Sequence, residues 1–161
     1  MKQFVALLGL LNLTALGCLA DQQESWKTNT LAPGLTIQLP TGVKITRQTP
    51  TGDFELFVFR KESKTILSAY LGNQPEFPKE KTHSSIKRET IKGLSAESTS
   101  RQEPDGTLSR EVLVHLRADG TLPQKLHFWY VHSRAVDAPE ADKMIASVHL
   151  SDAIYGKEPQ H

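Results

Sequence analysis

Six histidines are the most versatile side chains for chemistry in this sequence of 161 residues. Imidazole binds metal ions and can act as a general acid or base near neutral pH. His127 and His132 lie five residues apart on a predicted strand, so they face opposite sides and cannot share a metal ion. His115 lies on a strand that we expect beside that of His127, which gives two ligands without a third. We therefore predict no metal site and expect His127 to be half-buried and hydrogen-bonded.

Other sequence patterns that could carry chemistry have simpler explanations. Asp105 and Asp119 are each followed by glycine, which is typical of turns, and the alternating acidic ligands of a calcium loop are missing. Ser84, Ser85 and Ser133 lack the flanking glycines of a nucleophile elbow. The sequence also has no phosphate-binding loop and no dinucleotide fingerprint. It therefore predicts no catalytic residue and no cofactor site, and indicates a protein that is not an enzyme.

The most apolar strand is predicted within residues 124–132. Alternation along a strand places His127 and Trp129 on one face and Phe128 and Tyr130 on the other. Because both faces carry large groups, we expect both to be covered. This strand is predicted to be the central strand of the core.

An amphipathic helix is predicted from Asp137 to about residue 150. Asp137 suits the N-cap position, and Pro139 in the first turn costs no hydrogen bond. Apolar residues recur at the spacing of one helix face, namely at Ala141, Met144, Ile145 and Val148. We expect this stripe to pack the helix on the sheet.

Short segments with alternating apolar residues, separated by turn residues, predict the other strands. They are residues 35–39, 43–45, 54–59, 66–71, 86–91, 93–100 and 110–116. Residues 54–59 and 66–71 should form an antiparallel hairpin, and the charged segment 86–91 should lie at a sheet edge. The prediction is a single α+β domain over residues 34–151, with a mostly antiparallel sheet of about six to eight strands and a C-terminal helix packed on it.

Both ends of the chain are predicted to lie outside this domain. Residues 21–33 form a polar lead, flexible or briefly helical, in which Trp26 packs back on the body. Residues 152–161 are predicted to be a flexible tail. Residues 1–20 have the layout of a secretory signal peptide: one basic residue, a leucine-rich run and a small-residue exit.

Two cleavage sites fit this signal segment. Cleavage after Ala20 would release a soluble chain that starts at Asp21. Residues 14–18, Thr-Ala-Leu-Gly-Cys, resemble the lipobox of bacterial lipoproteins, and this implies cleavage before a lipid-bearing Cys18. Cys18 is the only cysteine, so no internal disulfide can form. We expect a periplasmic or extracellular protein, anchored to the cell envelope by lipid in the second case.

The charge balance argues against nucleic acid as a partner. Without Lys2, the 19 basic residues fall to 18 and equal the 18 acidic residues. A neutral surface lacks the basic patch that is typical of nucleic-acid-binding proteins. Contact with a membrane is expected only through a lipid on Cys18.

Two segments resemble the PsbP-like (Mog-type) superfamily of small exported proteins. Residues 35–42, Leu-Thr-Ile-Gln-Leu-Pro-Thr-Gly, are similar to its opening strand and turn, with Val43 where the family usually has an aromatic residue. Residues 141–148 are similar to its closing helix, with Val148 at a second aromatic position. The resemblance implies an antiparallel sheet with packed helices, and a binding protein rather than an enzyme. Both segments are structural, so no functional residue is carried over.

Together these observations predict an exported, non-catalytic binding or interaction protein of the bacterial envelope. Its partner would be another envelope or secreted protein, and an immunity or inhibitor-type protein is one concrete form. No cofactor is expected, and the sequence identifies no ligand-binding residue. We expect the binding surface in the loops at residues 72–82 and 102–106.

Two alternative functions stay open. One is a carrier of a small apolar ligand. Its pocket would be lined by aromatic residues of two strands, namely Phe54, Phe57, Phe59 and Tyr70. The other is a hydrolase with a dispersed site, which requires one cleft that gathers His115, His127 and a carboxylate.

Overall fold

The computed structural model describes residues 25–48, 54–77, 86–116, 123–132 and 138–151. These ranges contain ten strands in two antiparallel sheets and one helix. The predicted antiparallel sheet with a C-terminal helix is confirmed. The predicted number of strands was too low, and because the described chain is largely sheet, the α+β class fits only roughly.

The elements follow one another in the order β1 (Trp26–Ala32), β2 (Leu35–Pro40), β3 (Val43–Gln48), β4 (Glu55–Lys61), β5 (Lys64–Gly72), β6 (Lys87–Ile91), β7 (Leu94–Gln102), β8 (Leu108–His115), β9 (Lys125–His132), α1 (Ala138–Ala146) and β10 (His149–Leu150). The larger sheet has seven strands in the order β3-β4-β5-β9-β8-β7-β6, and the smaller has the order β1-β2-β10. Two meanders, β3 to β5 and β6 to β9, therefore join where β9 pairs with β5. This arrangement makes β9 the middle strand, as predicted, and places β6 at an edge, also as predicted.

The seven-stranded sheet buries one face, called the inner face here, against α1 and the smaller sheet. Phe57 of β4, Phe128 of β9 and Val112 of β8 lie on the inner face and are buried. They share one hydrophobic cluster with Met144 of α1 and Ile37 of β2. Because side chains alternate along a strand, the neighbours of Phe128 in β9 lie on the opposite face, called the outer face.

The helix is shorter than the apolar stripe indicated. It ends at Ala146, whereas the prediction extended it to about residue 150. The Ser147 hydroxyl donates a hydrogen bond of 2.6 Å to a carbonyl oxygen three residues earlier and accepts one of 2.9 Å from the Gln38 backbone N–H. A side chain that bonds helix carbonyls in this way competes with further helix formation. Val148 is therefore fully buried but lies after the helix, where the chain enters β10.

The segment predicted as a polar lead contains a strand instead. β1 pairs antiparallel with β2 from Trp26, opposite Pro40, to Ala32, opposite Leu35. Its middle residues are polar, so neither the helical nor the alternating apolar pattern marks it in the sequence. Trp26 does pack back on the body, as predicted, and the Lys143 ammonium of α1 lies 4.2 Å from the centroid of its ring.

Several predictions fall on residues that the structure does not describe. They concern the signal segment 1–20 with Cys18, the turn at Asp119, the N-cap Asp137 and the tail 152–161. Within the described ranges, no helix has the length and apolar character needed to cross a membrane.

Candidate functional site

The middle of the outer face brings together side chains from three adjacent strands. Tyr70 of β5 lies directly opposite His127 of β9, and Trp129 of β9 lies directly opposite Glu111 of β8. Side chains opposite one another in antiparallel strands are close neighbours on the same face. The pairing register therefore builds a floor of three large rings and one carboxylate.

Residues 73–77 cross this floor at one end and form a wall. The Asn73 side-chain oxygen accepts a hydrogen bond of 3.1 Å from the Gln124 N–H, and the Gln74 N–H donates one of 3.2 Å to the Tyr70 hydroxyl. The Phe77 ring meets the His127 ring edge to face, with centroids 5.5 Å apart. The segment is thus fastened to β5, to β9 and to the chain just before β9.

The floor and the wall enclose an open cleft of about 600 Å³, called the outer-face cleft. This volume lies within the usual range for small-molecule sites, about 300–1,000 Å³. Its lining combines aromatic rings with acidic and amide groups: Phe54, Tyr70, Gln74, Glu76, Glu111, His127 and Trp129. No lysine or arginine is among these lining residues.

Gly72 is required where it stands because Tyr70 lies over it. A Cβ atom on Gly72 would approach the Tyr70 hydroxyl oxygen to 2.5 Å, the Tyr70 Cζ to 2.7 Å and the Phe54 Cβ to 2.8 Å. The absence of a side chain lets the Tyr70 ring stack on Phe54, with centroids 5.2 Å apart and an interplanar angle of 24°. Gly72 therefore shapes the aromatic end of the cleft.

His127 and Glu111 form a hydrogen-bonded pair in the floor. The distance from His127 Nε2 to Glu111 Oε2 is 2.9 Å. An ionised carboxylate can only accept, so Nε2 is the donor of this bond when Glu111 is ionised. The imidazole is buried, and the Trp129 ring lies 5.4 Å away, centroid to centroid. The prediction of a hydrogen-bonded histidine is confirmed, and the residue is more deeply buried than expected.

The other histidines of interest lie away from the cleft. His115 is opposite Lys125, two pairs further along the ladder than His127 and Leu113, and it does not line the cleft. His132 lies on the inner face, where its ring stacks on Tyr130 at 4.7 Å. His127 and His132 thus face opposite sides, as predicted. Among the residues described, no group of three or more histidine, cysteine or acidic side chains could hold a metal ion.

The two loops predicted to carry the binding surface differ in their relation to the cleft. Residues 73–77 do contribute to the cleft through Gln74 and Glu76. In the other loop, Asp105 accepts a hydrogen bond of 2.8 Å from the Thr107 backbone N–H, which lowers the pKa of its carboxyl group. Asp105 is therefore a turn residue, as predicted, and residues 102–106 do not line the cleft. Ser84, Ser85 and Ser133 lie outside the described residues.

The expectation that both faces of the central strand are covered holds only in part on the outer face: His127 is buried, whereas Trp129 lines the open cleft and Val131 is exposed. Phe57 and Phe59 fill the core, whereas Phe54 and Tyr70 line the cleft, so the four aromatics proposed for a single pocket divide between the two faces. One signal in the sequence could have indicated the cleft. Glu111 directly precedes an apolar run on a predicted strand, where an acid needs a partner.

A second polar cluster lies on the inner face, between the sheet and α1. Arg110 binds Asp142 at 2.7 Å and Glu89 at 3.0 Å, and the Tyr130 hydroxyl donates to Asp142 at 3.0 Å. Burial opposes the charge of Arg110, but the hydrogen bond and charge of Asp142, with the charge of Glu89, raise its pKa. Burial raises the pKa of Tyr130, and Asp142 raises it further. The groups satisfy one another, so this cluster fastens α1 to the sheet.

Comparison of the chain with protein-family models, with curated proteins and with solved structures gives no match. The resemblance to the PsbP-like superfamily therefore stays a prediction from the two segments that carry it.

Proposed function

We propose that this chain is a non-catalytic binding protein of the bacterial envelope and that the outer-face cleft is its binding site. The observation that carries the proposal is the mixed lining of the cleft: aromatic rings beside acidic and amide groups on a rigid sheet. Binding sites usually combine a mainly apolar and aromatic wall with a few placed polar groups. In the polar cluster around Arg110, by contrast, the charged groups already pair with one another.

The lining residues favour binding over nucleophilic catalysis. No serine, threonine, cysteine or lysine is among the residues that line the described cleft. The Tyr70 hydroxyl is engaged by the Gln74 N–H. Covalent catalysis requires a nucleophile within reach of a base, and His127 has no serine, threonine or cysteine beside it among the described lining residues.

The aromatic residues do not favour a carrier of a purely apolar ligand. Phe57 and Phe59 belong to the core and are not available to such a ligand. The remaining rings share the cleft with Glu76 and Glu111, which an apolar ligand would desolvate without giving them a partner. A ligand with both an apolar and a polar part suits this lining better.

The partner that we propose is an envelope or secreted protein, or a small molecule of that compartment. The signal-like segment 1–20 supports this location. An immunity or inhibitor-type protein is one form of the proposal, in which a side chain of the target enters the cleft. Intact-mass analysis of the mature protein from its host tests the location: a chain that starts at Asp21 or a lipid-bearing Cys18 supports export, and an uncleaved Met1 contradicts it.

The test of binding is purification from the native host followed by native mass spectrometry. We expect the wild-type protein to retain a small molecule or a partner chain, and Trp129→Ala to lose it. Val131→Ala is the matched control, because Val131 lies on the same strand and face, is exposed, and is not among the lining residues. Retention by Trp129→Ala, or no bound species on the wild type, would contradict the proposal.

A hydrolase is the second candidate, and the hydrogen bond between His127 and Glu111 is the observation that favours it. A carboxylate that orients an imidazole is the arrangement used to activate water or a hydroxyl group. Of the three groups that this hydrolase would require, the cleft contains His127 and the carboxylate of Glu111. His115 is not among its lining residues. Hydrolysis of envelope polymers or esters by the wild type, and its loss in His127→Asn, would establish this candidate over simple binding.

A further inference from the structure

We infer that the outer-face cleft takes an organic cation, meaning an ammonium or guanidinium group joined to an apolar body. The inference rests on the proposed function, because it names the ligand class of the same cleft. It starts from the lining charges: among the described residues that line the cleft, Glu76 and Glu111 are acidic and none is lysine or arginine. A cleft with that balance attracts cations and repels anions.

The aromatic rings suit the same class of ligand. Tyr70 and Phe54 stack at one end of the cleft, and Trp129 contributes an indole ring from the neighbouring strand. The face of an aromatic ring carries negative electrostatic potential, and a cation within about 6 Å of its centroid is attracted to it. Rings and carboxylates together therefore offer one cation two kinds of favourable contact.

The two carboxylates retain capacity for a ligand. Glu111 uses Oε2 for the bond to His127, and its Oε1 has no hydrogen-bond partner among the described residues. Glu76 is exposed and forms no hydrogen bond or ion pair with another residue that the structure describes. Other acidic side chains already pair with cations of the protein, namely Glu55 with Arg47, Glu89 and Asp142 with Arg110, Glu103 with Arg101, and Glu140 with Lys61.

The two acidic residues lie on different parts of the cleft, so they could contact a bound cation from two sides. Glu111 belongs to β8 in the floor, where His127 fixes one of its oxygens. Glu76 belongs to the wall, residues 73–77, which hydrogen bonds join to the Tyr70 hydroxyl and the Gln124 N–H. A cationic head group could therefore lie over the floor while its apolar body follows the rings.

Two sources can supply such a head group: a free amine or guanidine, and a lysine or arginine side chain of a partner protein. The probes that represent these sources are choline, agmatine and a capped lysine peptide. The neutral control is 3,3-dimethyl-1-butanol, which has the shape of choline with carbon in place of the charged nitrogen. Succinate serves as the anionic control.

Trp129 supplies the signal for the titrations. The chain has two tryptophans, and Trp26 lies on β1 in the other sheet. In a Trp26→Phe background of the mature chain, the fluorescence of Trp129 reports the cleft alone. We expect choline or agmatine to bind at least about tenfold more tightly than the neutral alcohol, which corresponds to the usual strength of a cation on aromatic rings. Succinate should not bind.

Charge removal in the cleft provides the matched comparison. Glu76→Gln with Glu111→Gln keeps the shape of both side chains, and we expect the preference for choline over the neutral alcohol to fall by about tenfold or more. Glu97→Gln removes one acid from the same sheet face at a position that does not line the cleft, so it should leave the preference unchanged. Circular dichroism and a thermal melt check that each variant is folded.

The outcomes separate the cation inference from the proposed function. Equal binding of choline and the neutral alcohol overturns the cation inference and leaves the cleft as a binding site. No response to any probe up to millimolar concentration also overturns the cation inference. In that case the proposed binding function is still supported if the wild type retains a host molecule that Trp129→Ala loses. Binding of the free amines identifies a small-molecule source, whereas binding of the lysine peptide alone identifies a protein side chain.

Discussion

Replacing Gly72 by alanine tests the packing on which the cleft depends. The new methyl group would lie 2.5 and 2.7 Å from two Tyr70 atoms and 2.8 Å from the Phe54 Cβ. Carbon atoms in favourable contact lie about 3.5–4.0 Å apart, so these groups must move by roughly an ångström. The Tyr70 ring is the freer of the two, and we expect it to rotate away from the cleft.

The cost follows from the contacts that Tyr70 makes. Moving the ring gives up the stack on Phe54, about 0.5–1.5 kcal/mol, and the hydrogen bond from the Gln74 N–H, a similar amount. Alanine partly offsets this loss, because glycine within a strand is about 0.5–1 kcal/mol less stable than alanine. We expect Gly72→Ala to lower the free energy of unfolding by about 0.5–2 kcal/mol.

Urea denaturation measures this change, and NMR reports the environment of the Gln74 amide. Gly42→Ala is the control. Gly42 has a φ of 88°, and a Cβ atom there would have no other atom within 4 Å. Alanine at this position therefore strains the backbone without touching Tyr70. In a Tyr70→Ala background the cost of Gly72→Ala should shrink, since two of the three close contacts are with Tyr70. Unchanged stability together with an unchanged Gln74 amide in Gly72→Ala would refute this reasoning.

Three further predictions concern the two faces of the sheet. Phe128→Ala should destabilise the protein by about 3–5 kcal/mol, because the ring is fully buried on the inner face. Trp129→Ala should lower the free energy of unfolding clearly less. Equal losses in urea denaturation would contradict the assignment of the two faces. Arg110→Met should cost about 1.5–3 kcal/mol, because it leaves Asp142 without its charged partner, and Arg110→Lys should restore part of the loss. The pKa of Tyr130 is raised in the folded state, so above pH 10.0 the unfolded state loses the hydroxyl proton while the folded state keeps it. The free energy of unfolding should therefore fall as the pH rises above 10.0. The fall should be less steep in Tyr130→Phe, which has no hydroxyl proton to lose.

The parts of the fold that local patterns determine were predictable. Hydrophobic alternation around Phe128 identified β9 as the central strand, and the short polar turn after β4 gave the hairpin with β5. β1 was missed because a strand paired mainly through its backbone needs no apolar pattern. The end of α1 was missed because it depends on a hydrogen bond between Ser147 and Gln38, 109 residues apart in the sequence.

The cleft was not predictable, because it depends on register between distant strands. Alternation placed His127 and Trp129 on one face correctly, but it says nothing of what lies beside them. Tyr70 reaches His127 only through the pairing of β5 with β9, and no turn connects those two strands to fix their register. Glu111 of β8 lies directly opposite Trp129 of β9, but its carboxylate bonds His127, which is diagonal to it on the same face.

The two parts of the cleft differ in how firmly the fold holds them, and this has a consequence for recognition. The floor residues Glu111, His127 and Trp129 lie on β8 and β9, which have hydrogen-bonded strands on both sides. Their positions are fixed before a ligand arrives, so little conformational entropy is lost there on binding. Gln74 and Glu76 lie on a short wall without strand pairing. Changes in residues 73–77 can therefore alter which apolar body is accepted while the floor keeps its contacts with the charged group.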